Sequence, residues 1–222
     1  GRYKCGGYIY TGEGQDLGQF WAELNVGNAK VKKTTANEIV TNGNAMYSIV
    51  GATFGIFLDQ NCSNQIGTLT TNENGDTNEV EVTAGTVYIK ELSAPKGYKL
   101  DTTVRSLKVE AGKTAVLNVS DVPKVTETLV DLFKIDMETG KATAQGNAAL
   151  SGAEFTWHYY DGFYTKDNLP EKATRTWVTK TVAEKESNGT VHCVTKLADA
   201  YKVSGDAFYT QNEKSVLPLG TL

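Results

Sequence analysis

The chain has 222 residues, 40% of them hydrophobic and 22% charged, which suits one large domain or two of roughly 100 residues each. Lys and Arg number 22 against 26 Asp and Glu, a formal net charge of −4; no basic face that would neutralise phosphates is evident, so nucleic acid is not an expected partner. No apolar run nears the ~20 residues of a membrane span, and the opening Gly1-Arg2-Tyr3-Lys4-Cys5 is not the basic start of a signal peptide, leaving a cytosolic protein or a secreted one read without its leader.

Residues 1–27 match no pattern, although Tyr8-Ile9-Tyr10 and Phe20-Trp21-Ala22-Glu23-Leu24 are apolar enough to pack on a neighbouring domain. Asp16 to Leu24 is the best helical candidate in the chain. From there on, strand signals dominate: Val87 to Lys90, Thr103 to Val109 and Thr114 to Val119 are short and rich in Val, Ile, Thr and Tyr. Asn42-Gly43, Asn74-Gly75, Asp161-Gly162 and Asn188-Gly189 predict tight hairpin turns between them. Asn72-Glu73-Asn74-Gly75-Asp76 lacks the spacing of a calcium loop and reads as one of these turns. The pattern predicts an all-β sandwich architecture.

An internal repeat divides the chain. Lys33 and Lys134 are 101 residues apart, and so are Gly51-Ala52-Thr53-Phe54 and Gly152-Ala153-Glu154-Phe155; Val31 and Ile49 map onto Leu132 and Leu150 at the same separation. Ala84-Gly85-Thr86-Val87 resembles Leu219-Gly220-Thr221-Leu222 at a separation of 135, which exceeds 101 by 34. The additional residues are expected between Trp157 and Ser204. The expected organisation is an unassigned segment 1–27, a β-sandwich over 28–124, and a second, enlarged sandwich over 125–222 that stops short of counterparts to Glu91 and to the last strand. Pro123 marks the boundary between the two sandwiches.

Cys5, Cys62 and Cys193 are too few and too widely spaced for a disulfide scaffold or a CxxC metal pair, although a Cys5–Cys62 bridge stays open. His158 and His192 show no metal-ligand spacing, so neither a metal nor a cofactor is expected. Side-chain parity is more informative. Ala29, Val31 and Lys33 share one face of a strand, as do Val87, Ile89 and Glu91, and Leu117, Val119 and Asp121. An amine and two carboxyls thus point where a core should be. Burial would push Lys33 toward its neutral amine and one carboxyl toward its protonated form, the states that amide formation requires. The plainer reading is a Lys–Glu pair at a strand edge in water.

Lys90-Glu91-Leu92-Ser93-Ala94-Pro95-Lys96-Gly97-Tyr98 resembles the E-x-x-A-P-x-G-Y signature of Cna B-type (SpaA-like) domains of Gram-positive surface proteins and pilins. Gly51-Ala52-Thr53-Phe54 resembles the second-strand motif of that family, and Leu132-Phe133-Lys134-Ile135-Asp136 its first-strand L-x-K-x-D. The resemblance implies two tandem immunoglobulin-like (prealbumin-like) β-sandwiches, and in that family a Lys of the first strand and an Asn or Asp of the last form a spontaneous isopeptide bond; in the second copy no bond is expected. Carried over, it implies a cross-link between Lys33 and Asp121, Glu91 as the proton shuttle, and Lys134 as the amine of the second copy. Lys32 competes with Lys33 because the motif here reads Lys33-Thr34-Thr35, and parity favours Lys33. Asn118 competes with Asp121, which has the inward parity and stands just before the boundary proline.

The implied function is that of a structural stalk or spacer in a cell-surface adhesin or pilin-like protein, extracellular and attached to the cell wall. Its partners would be neighbouring repeats of the same polypeptide, and its chemistry a single event without enzymatic turnover. The alternative is an adhesin module that binds host or dietary glycan, or a matrix protein, through Trp157, Tyr159 and Tyr160 in an aromatic hairpin around Asp161-Gly162. Leu217-Pro218-Leu219-Gly220-Thr221 resembles a sortase signal with its last two residues inverted, and reads instead as a strand entry.

Overall fold

The computed structural model describes residues 2–10 and 16–222, with side chains from residue 25 onward. Strands make up nearly all of its regular structure; a four-residue helix α1 (Glu38–Thr41) and one 3₁₀ turn (Asp199–Tyr201) are the helical elements among the described residues. The chain falls into two compact units, one of Gly1–Asn37 with Tyr47–Pro123 and the other of Glu38–Met46 with Lys124–Leu222.

The first unit holds β1 (Arg2–Tyr10), β2 (Asp16–Thr35), β3 (Thr53–Phe57), β4 (Gln65–Thr70), β5 (Val80–Thr83), β6 (Gly85–Ser93), β7 (Arg105–Val109) and β8 (Thr114–Asp121). One sheet joins β1, β2, β5 and β8; the other runs β4-β3-β6-β7. All pairs are antiparallel except β2 with β8, which run side by side in parallel from Asn28↔Thr114 to Thr35↔Asp121. Alternate residues of each strand face the partner sheet. Ala29, Val31, Val82 and Val119 thereby meet Phe54, Ile56, Leu69, Val87, Ile89 and Val109 in a single core. Each such aliphatic or aromatic side chain contributes about 1.5–3 kcal/mol by leaving water.

Asp16 to Leu24 is strand, not helix: it forms the first half of β2 and pairs with β1 from Tyr10↔Asp16 to Arg2↔Asn25. Phe20, Ala22 and Leu24 also repeat with a period of two, and a long partner strand decides between the two periodicities. β2 then continues past residue 27 without a break. Two of the four turn dipeptides do not close hairpins. Asn42-Gly43 follows α1, with Gly43 at φ 74° in the left-handed position that ends helices. After Asp161-Gly162 the chain enters a long loop, and the next strand begins only at Arg175.

The second unit holds β9 (Thr126–Glu127), β10 (Asp131–Lys134), β11 (Glu154–Tyr159), β12 (Arg175–Lys180), β13 (Val182–Lys185), β14 (Val191–Lys196), β15 (Lys202–Ser204), β16 (Tyr209–Gln211) and β17 (Lys214–Leu217). They form three sheets, ordered β10-β14-β13, β11-β12-β15 and β16-β17-β9. Tyr159, Trp177, Leu197 and Leu217 form its core. β10 pairs antiparallel with β14 and β11 with β12, as β2 does with β5 and β3 with β4.

Candidate functional site

Lys33, Glu91 and Asp121 converge in the core of the first unit, with relative exposures of 0%, 3% and 2%. Register explains the convergence. Lys33 lies opposite Val119 across the parallel β2–β8 pair, two residues short of the level of Asp121, while Glu91 lies opposite Phe54 in the facing sheet. All three keep the inward parity of the apolar residues before them, so strand alternation alone carries them into the core.

The Nζ of Lys33 donates to Oε1 of Glu91 at 2.7 Å and is in contact with Oδ2 of Asp121. That Oδ2 accepts no hydrogen bond among the described residues. The Phe54 ring closes the other side, its centroid 5.2 Å from Nζ. Burial pushes the Glu91 carboxyl above its ordinary value, outweighing the hydrogen bonds from Lys33 and Asp101 and helped by the neighbouring charge of Asp121.

The other oxygen of Glu91, Oε2, accepts the backbone N–H of Asp101 at 2.8 Å. Asp101 is itself clamped, its Oδ1 accepting the Thr103 N–H at 3.0 Å and its Oδ2 accepting Arg105 Nη2 at 2.7 Å. Burial raises the Asp101 pKa, but the Thr103 and Arg105 contacts outweigh it and hold the group at about 2. Between Glu91 and Asp101 runs the turn containing Ala94-Pro95-Lys96-Gly97-Tyr98, with Gly97 at φ 85°. Lys99 N–H bonds the Val122 carbonyl at 3.0 Å, Tyr98 pairs with Pro123, and the Tyr98 ring packs edge-on against Tyr47 at 5.8 Å. The turn therefore fastens the end of β8 beside the end of β6. Asp121 is held from the other side by Ala36 N–H on its carbonyl at 2.8 Å.

The competing residues lie elsewhere. Lys32 points outward, its Nζ bonding the Asn74 carbonyl at 2.8 Å and Asp76 at 2.9 Å. Asn118 is on the exposed face of β8. Lys134 is half-buried on β10, with no carboxylate in ion-pair range among the described residues. Tyr159 and Tyr160 are buried, and half-buried Trp157 donates its indole N–H to Thr179 at 2.7 Å, so the three do not form an exposed platform. The 72–76 segment is a turn in which the Asn72 side chain accepts the N–H groups of Asn74 and Asp76. Cys62 and Cys193 are free thiols; the Cys5 side chain lies outside the described residues.

Sequence reasoning missed Phe54 and Asp101 as members of the site. For Asp101 a signal existed, since Asp101, Thr103 and Arg105 alternate on one side of the chain entering β7.

Residues 27–123 match the SpaA prealbumin-like fold domain family. Over 88 residues the chain is 34% identical to the trypsin-resistant surface T6 protein of Streptococcus pyogenes serotype M6, a match covering 36% of this chain and 16% of that protein. Among solved structures it is similar to the Bacillus anthracis TIE protein (TM-score 0.47, 20% identity, 98% of this chain and 39% of that one). It is also similar to BcpA, the major pilin subunit of Bacillus cereus (TM-score 0.37, 13% identity, 86% and 81%). Among the described residues no helix is long and apolar enough to cross a membrane.

Proposed function

We propose, from the premise that residues 27–123 are a SpaA-type prealbumin-like domain, that this domain is a structural module of a Gram-positive surface or pilus protein, tied internally by an amide bond between Lys33 and Asp121. The observation that carries the reading is the sealed contact of Lys33 Nζ with Asp121 and, at 2.7 Å, with Glu91. The surface location named for the streptococcal relative supports an extracellular setting.

In the reaction, the Lys33 amine attacks Cγ of Asp121 and the N–C bond forms. Asp121 reacts as its carboxylic acid: Glu91 passes a proton to the hydroxyl oxygen of Asp121 and takes the surplus one from Nζ in exchange, and the bond from Cγ to that oxygen breaks, so that it leaves as water. Holding the two groups in contact supplies the orientation that a free amine and acid lack. Exclusion of water protects both the reaction and its product. No turnover follows, because nucleophile and electrophile are consumed.

The product would suit a module under tension. Force entering along β2 would cross at residue 33 and leave at residue 121, so the 87 residues between them (34–120) would bear none of it. Intact mass spectrometry tests the proposal: the chain should weigh one water less than its sequence, Glu91→Gln should restore that water, and digestion should yield a branched Lys33–Asp121 peptide. A full-mass chain with an unmodified Lys33 peptide overturns it.

A further inference from the structure

The chain contains three Asn-Gly pairs, Asn42-Gly43, Asn74-Gly75 and Asn188-Gly189. In such a pair the glycine amide nitrogen can attack the asparagine side-chain carbonyl, because no Cβ on the glycine obstructs the approach. The attack needs an N–H that is free to give up its proton and a backbone free to bring the nitrogen onto Cγ. Two of the three pairs are denied both. Gly75 is buried, its N–H donates to the Asn72 carbonyl at 2.9 Å, and a Cβ built on it would strike the Lys33 carbonyl oxygen. Gly189 N–H donates to the Glu186 carbonyl at 3.0 Å. The Asn188 amide is held at both ends, Nδ2 donating to Oε2 of Glu186 at 3.1 Å and Oδ1 accepting the Thr190 N–H at 2.8 Å.

The third pair is unrestrained. Asn42 and Gly43 are exposed, and the space around Gly43 is open. Among the described residues neither the Asn42 side chain nor the Gly43 N–H has a hydrogen-bond partner. The pair ends a helix of only four residues, too short to resist fraying by its own hydrogen bonds.

We propose that Asn42 is a self-modifying position, converting to aspartate and isoaspartate in the folded protein while Asn74 and Asn188 are protected. Solvent base takes the proton from the Gly43 nitrogen, which bonds to Cγ of Asn42. The Cγ–Nδ2 bond breaks and Nδ2 leaves as ammonia, closing a succinimide ring that water then opens. Breaking the new Cγ–N bond gives aspartate; breaking the original C–N bond gives isoaspartate, whose backbone is one atom longer. Either way one water is consumed and an NH2 is replaced by an OH. The change is irreversible and uses no enzyme, so its extent records the age of the chain. It also acts on its surroundings. Asn42 borders a cavity of about 410 Å³ with Glu38, Ile39, Asp206 and Tyr209, where a carboxylate at 42 meets two others of like charge. Two residues on, Asn44 is 5% exposed and anchors this segment within the second unit, its Nδ2 donating to the Leu219 carbonyl at 3.0 Å and to Asp161 at 3.3 Å. Charge and a lengthened backbone beside that anchor loosen it.

The test incubates the purified full chain at mildly alkaline pH, natively and in denaturant, and digests samples in mild acid with a Glu-specific protease, which places the three asparagines on separate peptides. In denaturant the three should convert at similar rates. In the native protein Asn42 should convert at least about tenfold faster than Asn74 and Asn188, whose reaction waits on local opening, and Asn42→Gln should leave no modification at 42. Equal native rates at the three positions, or an Asn42 that reacts only in denaturant, overturn the proposal. Asn42→Asp should speed amide exchange at Asn44 and Met46, whose N–H groups donate to the Thr41 carbonyl and to Oδ1 of Asn44. Unchanged exchange there overturns the loosening.

Discussion

Lys33 and Asp121 lie 88 residues apart in the chain, yet their side chains touch across two parallel neighbouring strands inside an apolar core. Covalent closure of a loop of that length removes unfolded-state entropy worth about 4–5 kcal/mol in the chain-entropy model. Glu91→Gln keeps the shape of the site but removes the proposed proton carrier, so under the proposed cross-link its unfolding free energy should fall by about that amount, with unfolding much faster. Denaturant titration and unfolding kinetics of the two proteins check this. Equal stabilities would mean that no loop is closed.

The two adjacent lysines should behave in opposite ways. Lys32 spends its charge on Asp76 and the Asn74 carbonyl at a partly exposed site, so Lys32→Ala should keep the mass deficit and cost no more than about 1 kcal/mol. Lys33→Ala should abolish the deficit and leave Glu91 and Asp121 buried without their cation, a loss of about 3–5 kcal/mol beyond that of the bond. Asp121→Asn should still react but release ammonia in place of water, while Asn118→Ala should change neither the one-water deficit nor stability. High-resolution mass spectrometry separates all four variants.

Much of this site is legible in the sequence because strands have a period of two. The inward parity of Lys33, Glu91 and Asp121 follows from their apolar neighbours, and the structure places all three side chains in one core. What parity cannot supply is lateral register. That Lys33 sits opposite Val119 and not Asp121, and that Phe54 lies opposite Glu91, depends on how the Ala94–Tyr98 turn fastens Lys99 to Val122. The Asp16–Leu24 reading failed for a related reason: a short apolar run fits either periodicity, and the partner strand that decides is not local. The aromatic run at Trp157 does not turn back tightly at Asp161-Gly162, because that dipeptide is a strong turn signal only when a strand follows closely, and here the next begins at Arg175.

Gly75 offers a backbone test of how Lys33 is placed. Its φ is 78°, its carbonyl accepts the Lys33 N–H at 2.7 Å, and a Cβ built on it would collide with the Lys33 carbonyl oxygen. Gly75→Ala should therefore push β2 away at Lys33 and add left-handed strain, costing about 1–3 kcal/mol. The fraction of cross-linked chains should fall with it, as measured by mass spectrometry on freshly purified protein. Full cross-linking at undiminished stability would show that β2 tolerates the shift.

The clamp on Glu91 should give the site a pH signature with two opposite limbs, best seen in Asp121→Ala, where no covalent tie masks them. Asp101 is held at about 2 by Thr103 and Arg105 against the effect of burial. A depressed acid contributes stability that is present above its unfolded value, near 3.9, and is lost as pH falls through about 2. Glu91 is raised by burial. Its contribution is full below the unfolded value, near 4.3, and is lost as pH rises through the higher folded value. Adding Asp101→Asn should flatten the acid limb alone. Arg105→Ala should move that limb to higher pH, and, with Asp121 intact, should slow cross-linking by loosening the backbone N–H that holds Oε2 of Glu91. Denaturant unfolding from pH 2 to 7 measures both limbs, and superimposable curves for Asp121→Ala with and without Asp101→Asn would remove Asp101 from the site.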